Sequence, residues 1–195
     1  MSSHHRLVVT GAMLDGEMVS VTALDGVITA IGPDAAEHTP ADETLDAGGG
    51  ILCAPLVNGH THAAMTLFRG HGDDLPLMRW LQEAIWPVEA KLEEEDVYWG
   101  TRLACLEMIR SGTTGFWDMY WQPAGTARAV EDAGLRAVIG PPLFDAPGQP
   151  IEERNRELEE QLDQVSGFGG RIAAAVAPHA IYTVGSTSLE YAVGL

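Results

Sequence analysis

From residue 55 onward the chain repeats one rhythm three times: a segment of helical period, a glycine, then a short apolar run. "EEEDVYWGTRLACLEMIRSG" sets Val97, Thr101, Ala104, Cys105 and Met108 on one helical face and stops at Gly112, ahead of "TTGFWDMY". "QPAGTARAVEDAG" is helical after Pro123 and ends at Gly134, ahead of "LRAVIG"; "IEERNRELEEQLDQVSGFGG" precedes "RIAAAVAP". The spacing predicts four strands, at about 57–61, 113–119, 135–140 and 171–177. Strands joined through helices run parallel, because only a crossover of that length returns the chain to the same end of the sheet. The last three runs lack strict alternation, as strands buried on both faces should. Both Cys53 and Cys105 read as buried thiols, too few for a disulfide framework.

Residues 6–54 obey a different rule. "RLVVTGAML", "EMVSVTAL", "GVITAIG" and "GGILCAP" are short β-like runs punctuated by Asp15-Gly16, Asp25-Gly26 and Gly48–Gly50, with "EHTPADET" as the most loop-like piece. The expected organisation is an N-terminal β-sandwich-like domain over 1–54, followed by an α/β domain over 55–195.

Charge narrows the partners. Eleven Lys and Arg against 28 Asp and Glu leave a net charge of −17, which disfavours nucleic acid, since phosphate binding needs clustered cations. No apolar run reaches membrane-spanning length and "MSSHHRLVVT" lacks an apolar signal core, so a cytoplasmic protein with no membrane partner is expected. The runs "LEEED" and "IEERNRELEEQLDQ" read as solvated helix faces, with Glu152, Arg156 and Glu160 at supportive i,i+4 spacing.

The first parallel run ends in "VNGHTHAAM". Residues i and i+2 of a strand point the same way, so His60 and His62 share a face at the carboxyl end, where barrel enzymes place their chemistry. Imidazoles about 6–7 Å apart along a strand can converge on one ion held at about 2 Å from each. The alternative is a hydrogen-bonded polar pair at a strand end. Coordination is favoured because burying two imidazoles side by side is costly without a partner. Asp118, in "FWDMY", sits at the mouth end of the second run, where it would orient a neighbour. The five tryptophans, at 80, 86, 99, 117 and 121, read as core or pocket wall, and His4, His5, His38 and His71 as surface.

"LVNGHTHAAMTLFRG", with "LDGVITAIG" before it and "GTTGFWDMY" and "APHAIYT" after it, resembles the amidohydrolase superfamily. The branch is that of methylthioadenosine/S-adenosylhomocysteine deaminases, guanine deaminase and triazine hydrolases. The resemblance implies a (β/α)8 metal-dependent hydrolase barrel with a flanking β-domain, of which this chain holds about the first four β/α units. It implies His60 and His62 as ligands of one divalent metal ion, Zn or Fe(II). Binuclear members bridge their metals with a lysine at the end of the fourth strand; that strand here offers His179, and the only lysine is Lys91, so a single ion is expected. His179 matches a substrate-facing histidine and Glu89, in "WPVEAKL", a glutamate that holds substrate hydroxyls. A satisfied structural histidine and a helix-surface carboxylate are the respective alternatives. The chain departs from nucleoside-deaminating relatives in having Pro141 and Pro142 where they place an arginine.

The function implied is hydrolytic deamination of a small nitrogen heterocycle, of purine, nucleoside or triazine type, by water that the ion activates. The proton shuttles and remaining ligands of the family lie on strands expected beyond residue 195, so these residues are read as the N-terminal part of a longer enzyme. A non-catalytic metal-binding scaffold and a cyclic-amide hydrolase are the rival readings, and a homo-oligomer is left open.

Overall fold

The computed structural model describes residues 4–145 and 147–195, which divide into two compact units, 1–54 and 55–195. In the first unit, strands β1 (Arg6–Leu14), β2 (Glu17–Leu24), β3 (Val27–Gly32) and β4 (Glu43–Asp46) form one sheet in the order β3-β2-β1-β4. The two antiparallel turns are set by Asp15-Gly16 and Asp25-Gly26, whose φ values of 50°, 89°, 51° and 79° are the doubly positive pattern of a tight hairpin turn. β4 returns parallel to β1, pairing Leu7 with Glu43 and Thr10 with Asp46.

Three expectations need correction here. The described strands of this unit make a single layer, not a sandwich: all four are hydrogen-bonded side by side, and β3 leaves Val27, Ile28 and Ile31 exposed with no second sheet over them. "GGILCAP" is not a strand; only an isolated bridge joins Ile51 to Met13, and the fourth strand is the polar "ETLD" instead. Backbone pairing with β1, not side-chain burial, holds that segment extended, since all four of its residues are exposed. Cys53, on irregular backbone after Ile51, is exposed, which corrects its reading as a buried thiol; Cys105 is buried.

The second unit is built on a parallel sheet of β5 (Leu56–Thr61), β6 (Thr113–Met119), β7 (Arg136–Gly140) and β9 (Ile172–Ala174), in sequence order. Two short strands, β8 (Pro142–Leu143) and β10 (Ala177–Pro178), pair parallel just past β7 and β9. The third predicted strand appears as β7, with β8 beyond Pro141, whereas the break at 175–176 divides the fourth predicted strand into two pieces. Helical backbone between β5 and β6 begins with a 3-10 segment (Ala63–Phe68). It resumes as α1 (Leu77–Arg79), passes through a π-helical stretch (Trp80–Ile85) into α2 (Trp86–Glu89), and continues as α3 (Glu94–Arg110). α4 (Pro123–Ala133), α5 (Ile151–Ser166) and α6 (Ser186–Gly194) complete it.

α3 starts on a reciprocal cap in which Glu93 and Asp96 each bond the other's backbone amide. It buries Val97, Gly100, Thr101, Ala104 and Cys105; Ala104 and Cys105 pack with Phe116, Val130, Ile139 and Val165 between sheet and helices, while Val97 packs with Ala64 and Tyr120. Gly100 is needed for closeness: a Cβ there would lie 2.6 Å from the carbonyl oxygen of Ala64, two residues after His62. The helix therefore supports the segment that carries the histidines. Burial on both faces, expected of the last three strands, holds for most of β7 but not for β6, which exposes Thr114 and Trp117, nor for β9, which exposes Ala173. β5, outside that expectation, exposes Leu56 and Val57; no further element covers them among the described residues.

Candidate active site

The two histidines fall at the end of β5, His60 inside it and His62 at the entry to the 3-10 segment. Their ring centroids are 5.1 Å apart with planes at 78°, an edge-to-face contact between neighbours. His62 Nδ1 is 2.7 Å from the carbonyl oxygen of Met119, at the end of β6. A carbonyl only accepts, so Nδ1 carries the proton and the lone pair is on Nε2. A backbone hydrogen bond that fixes the tautomer and aims the other nitrogen is the arrangement found behind metal-bound histidines. His60 is exposed, and its backbone N–H donates to Asn58 Oδ1 at 3.2 Å. Among the described residues no set of three or more His, Cys, Asp and Glu side chains gathers into a ligand cluster.

Asp118 is fully buried and takes the amide proton of Ala63 on Oδ1 at 2.7 Å, with Thr126 Oγ1 at 3.5 Å from Oδ2. Burial pushes its carboxyl up to about 7, against the lowering effect of those two hydrogen bonds. The residue ties β6 to the backbone next to His62.

His62, Glu89 and His179 line one cavity of about 110 Å³, walled by Trp80, Trp86, Trp121, Phe144 and Tyr120. A wider, more open hollow of about 620 Å³ shares Trp86, Glu89, Trp121 and Phe144 with it. Glu89, at the end of α2, is held by Tyr120, whose hydroxyl donates to Oε1 at 2.8 Å. Tyr120 is buried, with its ring centroid 6.3 Å from that of His62, and burial beside Glu89 drives its hydroxyl far above the usual phenol range. His179 follows β10; burial holds its ring below the ordinary histidine value, nearby His62 acts in the same direction, and Glu89 opposes. Its Nδ1 is 2.8 Å from Thr183 Oγ1 and its ring stands 5.6 Å from Phe144.

The structure thus brings Glu89, His62 and His179 around one space, with His60 at its side. Trp80, Trp86 and Trp121 wall it, whereas Trp99 and Trp117 are exposed and serve neither as core nor as wall. His4, His5, His38 and His71 are exposed. Tyr120 and Thr183 are the functional neighbours that sequence reasoning missed. The signal for Tyr120 was present in "FWDMY", one residue past a strand end, but its partner is 31 positions away.

The model of the amidohydrolase family matches residues 51–193. The chain belongs to the amidohydrolase family. It is 52% identical over 171 residues to a 5-methylthioadenosine/S-adenosylhomocysteine deaminase of Syntrophobacter fumaroxidans, covering 84% of this chain and 38% of that protein. It is 44% identical over 188 residues to a 5'-deoxyadenosine deaminase of Methanospirillum hungatei, covering 93% and 42%. The crystal structure of an adenosine deaminase from Xanthomonas campestris, with bound zinc, superposes with a TM-score of 0.85 at 35% identity, covering 97% of this chain and 46% of that one. The chain therefore spans about two fifths of the length of the two curated relatives.

Proposed function

We propose that this amidohydrolase chain carries the first metal ligands and part of the substrate pocket of a metal-dependent aminohydrolase. The substrate class is an adenosine-type nitrogen heterocycle, deaminated by water. The observation that carries this reading is the aim of His62: with Nδ1–H spent on Met119, its Nε2 lone pair is free beside the His60 ring and at the wall of the cavity that Glu89 and His179 also line. Two neutral imidazoles suit zinc or Fe(II) equally, and the zinc in the Xanthomonas campestris adenosine deaminase favours zinc. A bound divalent ion supplies Lewis-acid activation of water. The chain's own residues do the rest of what is proposed here. Trp86, Trp121 and Phe144 give flat apolar faces against which a purine ring stacks and from which water is excluded. Glu89, with Oε1 already engaged by Tyr120, keeps Oε2 to accept hydrogen bonds from substrate hydroxyls. A (β/α)8 barrel is the closed form we infer for the whole protein, supported by the parallel order β5-β6-β7-β9.

The test is metal analysis together with an ammonia-release screen of adenosine, its 5'-deoxy and 5'-thioether derivatives, guanine and triazines. Stoichiometric divalent metal and ammonia release from an adenosine derivative are expected of the full-length protein, with both lost on His62→Ala. Full metal content in a His60→Ala/His62→Ala double variant would refute the assignment.

A further inference from the structure

His179 and Thr183 close a five-residue loop clasp, and its hydrogen bonds determine more than position. The His179 amide donates to the Leu143 carbonyl at 3.1 Å, the Thr183 amide to the Ala180 carbonyl at 3.0 Å, and the Asp145 amide to the Thr183 carbonyl at 2.9 Å. The backbone on both sides of the clasp is therefore fixed. Inside it, Thr183 Oγ1 makes two contacts: 2.8 Å to His179 Nδ1 and 3.2 Å to the Ala180 carbonyl oxygen. A hydroxyl has one proton to give. If that proton went to Nδ1, two lone-pair oxygens would face each other at 3.2 Å without a hydrogen between them. If it goes to the Ala180 carbonyl, both contacts are hydrogen bonds, and Thr183 accepts from an Nδ1–H.

We infer that Thr183 is a positioning residue that fixes the tautomer of His179, so that Nε2 meets the cavity as a hydrogen-bond acceptor. Phe144 and Tyr182 flank the ring, with centroids at 5.6 and 6.2 Å, and a flip to answer a different ligand would break the hydrogen bond to Thr183. His62 is fixed in the same sense by Met119, and the two rings therefore present unprotonated nitrogens to one space. They differ in use. His62 offers its lone pair to the metal, and His179 offers its own to an O–H or N–H of the bound heterocycle or its substituent. A ligand that presents only an acceptor to His179 Nε2 meets a lone pair with no proton between them and is disfavoured, which makes Thr183 a determinant of specificity although it touches no substrate. The assignment of His179 to recognition rests on the proposed deaminase reading; the tautomer does not.

The experiment has two independent arms. In 15N–1H correlation spectra of the histidine rings of the protein at pH 8, His179, identified by its absence in His179→Gln, is expected to show a protonated Nδ1 and an unprotonated Nε2. Thr183→Val keeps the shape of threonine and removes the hydroxyl; it is expected to move the ring toward the Nε2–H form, whereas Thr183→Ser keeps the parent pattern. In the kinetic arm, Thr183→Val is expected to raise KM about tenfold for the substrate that the ammonia screen identifies, as loss of one well-placed hydrogen bond should, with kcat within about twofold and Thr183→Ser close to the parent. A parent ring carrying its proton on Nε2 overturns the inference, and so does an unchanged Nδ1–H pattern in Thr183→Val. If Thr183→Val does not fold, the parent and Thr183→Ser spectra decide the tautomer. If no heterocycle is deaminated, the deaminase reading fails and the first arm still decides the role of Thr183.

Discussion

Cys53 and Cys105 have the same side chain and opposite surroundings. Cys105 sits in the layer between α3 and the sheet, where burial pushes its thiol up to about 11; Cys53 is exposed on irregular backbone. Thiolate is the reactive form, so one fast-reacting thiol per chain is expected with an aromatic disulfide reagent under native conditions and two after denaturation. A Cys53→Ser variant that still reacts quickly would contradict that assignment. Glu89 permits a second expectation. Glu89→Gln keeps the acceptor for Tyr120 and loses the charge, so KM for a hydroxyl-bearing substrate should rise several-fold while metal content stays at the parent level. Metal loss in that variant would move Glu89 out of the substrate pocket and into the ligand set. The histidine pair was legible in the sequence because strand geometry puts i and i+2 on one face, a purely local rule. The aim of His62 was not legible, since it depends on the carbonyl of Met119, 57 positions away on another strand.

The three helix-glycine-strand units were legible for the same local reason: Gly112 and Gly134 end helices whose apolar faces repeat at helical period, and the following strands start within a residue or two of the expected positions. Charge patterning misled in α5. Read as solvated throughout, the run "IEERNREL" in fact buries Arg154, whose guanidinium donates to Asp145 Oδ1 and to Ser188 Oγ, so that α5, the β8–α5 loop and α6 meet on one cation. Periodicity could not reveal this, because the partners lie outside the helix. Asp145 also accepts the amide of Gly185, the residue just before α6, on Oδ2 at 2.6 Å. Partial burial works against ionisation of Asp145, yet the hydrogen bonds from Ser188 and Gly185 and the charge of Arg154 outweigh it and hold its carboxyl below the usual range. A depressed carboxyl stabilises the fold above its unfolded value near 4, and that contribution is lost as the pH falls through the folded value. Arg154→Met should then lower stability by about 2 kcal/mol, less than for a fully buried pair because Asp145 keeps access to water. Urea unfolding midpoints of parent and variant at pH 7 and pH 3 measure it, with a smaller gap expected at pH 3. An equal gap at both values would assign the effect to packing of the arginine stem instead.

At the scale of the whole molecule, two features pull in opposite directions. The second unit exposes large apolar side chains on β5, with Leu56 62% and Val57 73% exposed, and along α3, where Trp99, Leu106 and Ile109 are 59%, 54% and 49% exposed. β5 is also the first strand of the sheet order, so one of its edges has no partner among the described residues. Apolar surface on a helix together with an unpaired parallel edge favours association. The net charge of −17 opposes it, since two copies approaching each other repel until salt screens them. The chain of residues 1–195 purified alone should therefore be mostly monomeric at about 10 mM salt, where the screening length is about 30 Å, and associate at 0.5–1 M, where it falls to a few Å. Hydrophobic contact survives that screening and repulsion does not. Light scattering across a salt series reads the molar mass directly. Leu106→Glu and Ile109→Lys, placed on the exposed side of α3, should restore the monomer at high salt without changing the circular dichroism of the fold. If association appears instead at low salt and dissolves at high salt, ion pairs and not these apolar faces hold the copies together, and the exposed surface of β5 and α3 is merely tolerated by water.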